Sequence, residues 1–252
     1  MRRLLIILPL LSVIYSLTIV EIQGQADSSP YEGEFVTTSG YVTAVTLNSF
    51  FIQDADGAWN GLFIFDSGGM ISPSIGDEIV ISGLVYEYYD LTEIDGSDPN
   101  ATYDILSINN SIYDPLYITE FNESYESVLV RISGVCTELP NDYGEWYLDD
   151  FIVDDKIYPF TPVLGQAYTV TGPLDYNFNN FKILPRNSND IQEDIFIVGD
   201  LNQDNLVNVS DIIILINYIL QNEYESLADL NEDGILNVLD VIALVNVILP
   251  QT

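Results

Sequence analysis

Glu78-Ile79-Val80-Ile81-Ser82-Gly83-Leu84-Val85 is a β-branched run with a glycine set into its second half. Such a run reads as a strand, and a glycine inside a strand often marks the bend of a small closed barrel. Working outward, short runs of the same kind recur at Tyr41–Val45, Ser49–Gln53 and Leu62–Phe65, divided by Gly, Asn, Asp and Pro. A second set follows at Val128–Ile132, Glu145–Leu148, Phe151–Val153, Tyr168–Gly172 and Phe181–Leu184, and Val170-Thr171-Gly172 repeats the strand glycine. No 3.6-residue period interrupts these runs before the C-terminus, so the chain is expected to be mainly β. Two five-stranded barrels, residues 34–95 and 125–192, are expected, joined by a connection at 96–124 with one or two short strands. A single larger sandwich is the alternative.

Charge narrows the function. Lys and Arg number 6 against 39 Asp and Glu, and there is no histidine. Arg2 and Arg3 precede an apolar or small-polar run from Leu4 to Val20, with Gly24 and Ala26 beyond it. That order predicts a secretory signal over residues 1–26, cleaved near Ala26, with an uncleaved N-terminal anchor as the alternative. After cleavage no membrane span is expected, and the protein should be secreted or extracellular, with attachment to a cell surface also open. The remaining basic residues are Arg131, Lys156, Lys182 and Arg186. So acidic a surface repels phosphate backbones and argues against nucleic acid as a partner. Without histidine, Ser-His-Asp and Cys-His catalysis and His-ligated zinc are excluded, whereas a carboxylate-based hydrolase is not. Cys136 has no internal disulfide partner and sits in an apolar run, as a buried small hydrophobe would.

A resemblance attaches to the β region. Ser49–Asp54, Trp59–Phe65 and Gly76–Gly83 are similar to the OB-fold modules of secreted bacterial nucleases of the endonuclease/exonuclease/phosphatase kind. Glu126–Arg131 and Gly172–Arg186 resemble a second such module. The resemblance implies OB-like barrels but no nuclease activity, because the chain runs directly into a different segment where the catalytic domain would stand.

That segment contains two loops matching at an offset of 29 residues, Asp200 to Asp229. The first offers Asp200, Asn202, Asp204, Leu206, Asn208 and Asp211, and the second Asp229, Asn231, Asp233, Ile235, Asn237 and Asp240. These are positions 1, 3, 5, 7, 9 and 12 of an EF-hand-like ring, where a hard cation collects oxygen ligands. Leu206 and Ile235 would give only a carbonyl, leaving the apolar side chain to pack. An apolar helix follows each loop, Asp211–Leu220 and Asp240–Leu249, and Pro250 ends the second. These residues resemble the type I dockerin, a duplicated loop–helix module, over residues 199–250. The resemblance implies two calcium ions, a small helical fold and a cohesin-like partner domain. Recognition in that family rests on the pair before the last Asp of each loop, here Val209-Ser210 and Val238-Leu239. Asn205 stands where the second loop has Gly234, which predicts a weaker first site.

Other candidates are weaker. Tyr86-Glu87-Tyr88-Tyr89-Asp90 with Trp59 offers an aromatic face for a sugar or a base, although rim packing explains it too. Glu87, Asp90 and Glu93 read as a solvated acidic face sooner than as a catalytic dyad. The expected function is a secreted, non-catalytic calcium-binding adaptor with OB-like modules. The alternative is an accessory component of extracellular polysaccharide or nucleic-acid breakdown, binding the polymer or hydrolysing glycosidic bonds. Polysaccharide suits the charge better.

Overall fold

The computed structural model describes residues 16–67, 69, 72–194, 199–202, 206–231 and 233–249, in two compact units that divide after Gln192. In the first unit β1 (Phe35–Val45), β2 (Ser49–Gln53), β3 (Gly61–Phe65), β4 (Glu78–Tyr88) and β5 (Leu91–Asp95) form a sheet in the order β1-β2-β3-β5-β4. Antiparallel pairing of β1 with β4 closes it, and β3–β5 is the parallel contact. This is the wiring of an OB-like barrel. β6 (Thr102–Ser107) pairs with the outer edge of β4, and β7 (Leu116–Tyr117) runs parallel to β8 (Leu129–Glu138), so the expected connection carries two short strands.

The second barrel repeats the wiring strand for strand. β8, β9 (Glu145–Leu148), β10 (Phe151–Asp154), β11 (Ala167–Asn177) and β12 (Asn180–Ile183) join in the same way, with β10–β12 parallel and β8–β11 closing the ring. The strand glycines sit where the chain approaches its neighbour. A Cβ on Gly83 would lie 2.5 Å from Ile94 Cγ2, and one on Gly172 would lie 2.2 Å from the Leu184 carbonyl oxygen. Each barrel has its own apolar core, around Ile52, Ile64 and Ile81 in the first and around Trp146, Tyr168 and Val170 in the second.

β2 is buried on both faces, because Phe50 and Ile52 point into the first core while Phe51 faces the second barrel. Phe51, Phe63 and Leu184 then form a third apolar cluster shared by the two barrels. Polar contacts tie the same seam. The Leu129 amide donates to Gln53 Oε1 at 2.7 Å, and Arg186 Nη1 donates to the Thr43 carbonyl at 2.9 Å.

The first described residues belong to the first barrel. Thr18 caps a short helix, α1 (Ile19–Gln23), through a capping box with Glu21. Ile19 and Ile22 are fully buried in the first barrel's core, the Leu17 amide donates to the Thr37 carbonyl at 2.8 Å, and Ile19 N donates to Asp54 Oδ2 at 2.7 Å. Cleavage near Ala26 would strip these side chains from the core. Residues 1–15, the rest of the expected signal, lie outside the described residues.

In the second unit α2 (Val209–Gln221) and α3 (Val238–Ile248) bury Leu215 and Leu244, with Ala228, against one another. The apolar period of 3.6 residues and the two N-terminal caps account for both helices. Among the described residues no helix is long and apolar enough to cross a membrane.

Candidate metal centre

Both helices of the C-terminal unit begin in the same way. Asn208 and Asn237 are N-caps whose side-chain oxygens accept from Ser210 N and Leu239 N, each at 2.8 Å. Asp211 and Asp240 complete capping boxes, accepting from Asn208 N at 2.8 Å and Asn237 N at 2.9 Å. Positions 9 and 12 of each loop are therefore fixed by the helix start itself. The other oxygen of Asp211 reaches back to the amides of Leu201 and Asn202, at 2.9 and 3.1 Å, so position 12 staples the loop's beginning to its end.

In the second loop Asp229 accepts from Asp233 N at 3.2 Å and Gly234 N at 2.8 Å. Asp233 accepts from Ile235 N at 2.9 Å, and Asn231 Nδ2 donates to Asp233 Oδ2 at 2.9 Å. Gly234 makes the turn at φ +79°, a left-handed conformation natural to glycine. Asp204 and Asn205 lie outside the described residues, and with them the expected weakness of the first loop. Among the described residues no three Asp, Glu, Cys or His side chains converge on one point.

The donor set suits a hard cation. Asp200, Asp211, Asp229 and Asp240 are buried, at 4, 0, 6 and 0 % exposure, while residues 193–252 contain no Lys, Arg or His. Buried carboxylates need a compensating charge, which this unit's own side chains do not provide. Asp, Asn and carbonyl oxygens alternating along a ring favour calcium over zinc or copper.

At position 7 the side chains of Leu206 and Ile235 stand 65 and 63 % exposed. Near them Val209 and Val238, and one turn on Ile213 and Ile242, are also exposed, leaving an equivalent apolar strip at the start of each helix.

The acidic residues of the β unit also differ from expectation. Asp90 is exposed, but Glu93 is 6 % exposed and Glu87 is half-buried, so they are not one solvated face. Burial, and then Asp95 and Glu87, push the Glu93 carboxyl up to about 7. Glu123 is likewise pushed to about 7 by burial, then by Asp27, Glu87 and Asp90. Glu126, 1 % exposed, is driven well above the carboxylate range by burial and then by Glu123. Its Oε1 accepts from Thr92 N at 3.1 Å and Gln23 Nε2 at 3.4 Å, while Oε2 has no partner. Cys136 is buried as expected.

Residues 198–249 match the family model of the dockerin type I domain, so the C-terminal unit is of dockerin type. Dockerin domains bind calcium and take cohesin domains as partners. No curated protein matches the chain. Among solved structures the chain is similar to the p204 HINb domain, at 12 % identity and a TM-score of 0.30 over 58 % of this chain and 90 % of that one. It is also similar to the Ifi202 HINa domain in complex with 20bp dsDNA, at 12 % identity and TM-score 0.30, covering 64 % of this chain and 95 % of that one. A multidomain protein with nucleic acid binding domains from Streptococcus pneumoniae matches at 10 % identity and TM-score 0.20, over 76 and 81 % of the two chains. Likenesses this slight say nothing about what the barrels bind.

Proposed function

We propose that this chain is an exported, calcium-dependent docking adaptor, in which the C-terminal unit closes around two calcium ions and presents a surface to a cohesin-like domain. The observation that carries the reading is the set of four buried aspartates in a unit without a basic side chain. Asp200, Asn202, Asp204, Asn208 and Asp211, with the Leu206 carbonyl, would hold one ion. Asp229, Asn231, Asp233, Asn237 and Asp240, with the Ile235 carbonyl, would hold the other. When bound, the ions neutralise crowded carboxylates and tie each loop to its helix. The exposed strips around Val209 and Val238 then supply the apolar centre that docking needs.

The test is titration calorimetry of the full chain against a panel of cohesin domains, with calcium and with EDTA. Calcium-dependent binding supports the reading. Heat from calcium with no cohesin bound would limit the proposal to metal binding, and no heat from calcium would overturn it.

Export is part of the same reading, with an altered boundary. Because Leu17 to Gln23 is tied into the first barrel, we place signal cleavage before Leu17, where Ser16 supplies a small residue at the cut. Sequencing the N-terminus of the secreted protein checks this. A mature chain starting at Asp27 would sink it.

A further inference from the structure

The β unit contains a cleft of about 760 Å³ lined by both barrels, a size within the usual range of small-ligand sites, roughly 300–1,000 Å³. Two hairpins built alike contribute to its lining. The β4–β5 turn of the first barrel holds Tyr89 at φ +51° and Asp90 at +68°, and the β11–β12 turn of the second holds Phe178 at +50° and Asn179 at +60°. Two successive left-handed residues make the tight turn that suits a hairpin's twist, for which Asn-Gly is the usual choice. Here each barrel puts an aromatic residue at the first position, where a bulky side chain is strained. The strain is not offset by burial, since Tyr89 is 75 % and Phe178 is 86 % exposed. Neither ring belongs to a core. Tyr88 stands edge-on to Tyr89 with centroids 4.8 Å apart, and Lys182 Nζ lies 5.6 Å from the Phe178 centroid, so each exposed ring has a neighbour to steady it.

The polar lining selects the ligand. Lys156 donates to Asp175 Oδ2 at 2.8 Å and lies 5.8 Å from the Phe63 centroid, so the basic side chain that lines the cleft is already paired. Asn177 Nδ2 also donates to Asp175 Oδ2, at 2.9 Å, and its Oδ1 is left without a partner. Glu93 borders the same space and carries a proton in mildly acidic solution. A phosphate, sulfate or uronate would meet two acidic side chains, no free cation and a chain of formal net charge −33. Flat apolar rings beside amide and carboxyl groups instead suit a ligand with C–H faces to stack and hydroxyls to donate.

We propose that this cleft binds a neutral oligosaccharide segment, its sugar rings stacked on Tyr89 and Phe178 and its hydroxyls directed to the polar lining around Lys156 and Asn179. Because one aromatic comes from each barrel, the site requires both.

The experiment uses the full chain with calcium present. It is screened against neutral glucan, xylan and mannan oligosaccharides, with oligogalacturonate and single-stranded DNA as polyanions, and any ligand found is titrated by calorimetry. Binding of a neutral oligosaccharide is expected, unchanged by EDTA. Y89G and F178G should each weaken it at least tenfold while leaving the melting temperature equal or higher, because glycine relieves the strained turns. The proposal is overturned if no neutral oligosaccharide binds, if both variants keep full affinity, or if the polyanions bind in preference.

Discussion

Glu126 shows what one buried carboxyl does to the whole β unit. It is held by Thr92 N and Gln23 Nε2 on one oxygen, with Glu123 and Glu87 close enough to oppose its charge. Glu93 and Glu123 sit at about 7 against an ordinary value of 4.5. Between about pH 4.5 and 7 the unfolded chain releases these protons while the folded barrels keep them. The folded state then binds more protons, so stability falls as pH rises through that window, and Glu126, raised further, extends the fall beyond it. Thermal melts followed by tryptophan fluorescence should give a higher midpoint at pH 5 than at pH 8. Glu126→Gln, which keeps the shape and removes the ionisation, should raise the midpoint at pH 8 and reduce the difference. An unchanged slope would mean that Glu126 is ionised in the fold. None of this was legible in the sequence, where Glu87, Asp90 and Glu93 look like any acidic strand end. Whether a strand's carboxyl faces water is decided by what covers it: Glu93 borders the cleft that the second barrel helps to line, and Glu87 is held by Ser29 N and Thr92 Oγ1.

At the scale of elements, the loop–helix pairs carry the prediction. Asp240 serves both as the capping-box partner of Asn237 at the start of α3 and as the twelfth loop position, so Asp240→Ala removes that reciprocal hydrogen bond as well as an expected calcium ligand. Calcium titration by far-UV circular dichroism should show that this variant needs at least tenfold more calcium to reach full helicity. Leu244→Ala, at a fully buried position, should cost about 2–5 kcal/mol through the cavity it leaves, enough to keep so small a core from closing. The apolar strips are separable from the metal. The double variant V209K/V238K changes exposed positions only and should weaken partner binding at least tenfold while leaving the calcium titration in place. These elements were readable in advance because the ring spacing and helical period are local. The exposure of Leu206 and Ile235 was not, since an apolar side chain at position 7 could turn to the core or to solvent, and only the packed unit shows which.

For the whole molecule, the two units should come apart in their response to calcium. Both tryptophans, Trp59 and Trp146, lie in the β unit, whereas the long helices lie in the C-terminal unit. EDTA should therefore remove helical circular dichroism without shifting tryptophan emission. At free calcium a hundredfold above Kd, each ion stabilises the fold by about 2.7 kcal/mol, a large share for a core of this size. Loss of tryptophan burial on chelation would contradict the division. The barrels hold together by different means, through the Phe51, Phe63 and Leu184 cluster and the Arg186 guanidinium, which joins Asp190 to the Thr43 carbonyl.

Taken by itself, the order of residues determined the strands, their grouping into two fives, the strand glycines and the twelve-residue rings, because each rests on periods and spacings of a few residues. Only the folded molecule decided that Ile19 and Ile22 belong to a barrel core, that Glu93 and Glu126 are covered, and that Tyr89 and Phe178 border one cleft. Those facts join positions many tens of residues apart, and such distances are closed by burial of apolar surface, which has no period along the chain.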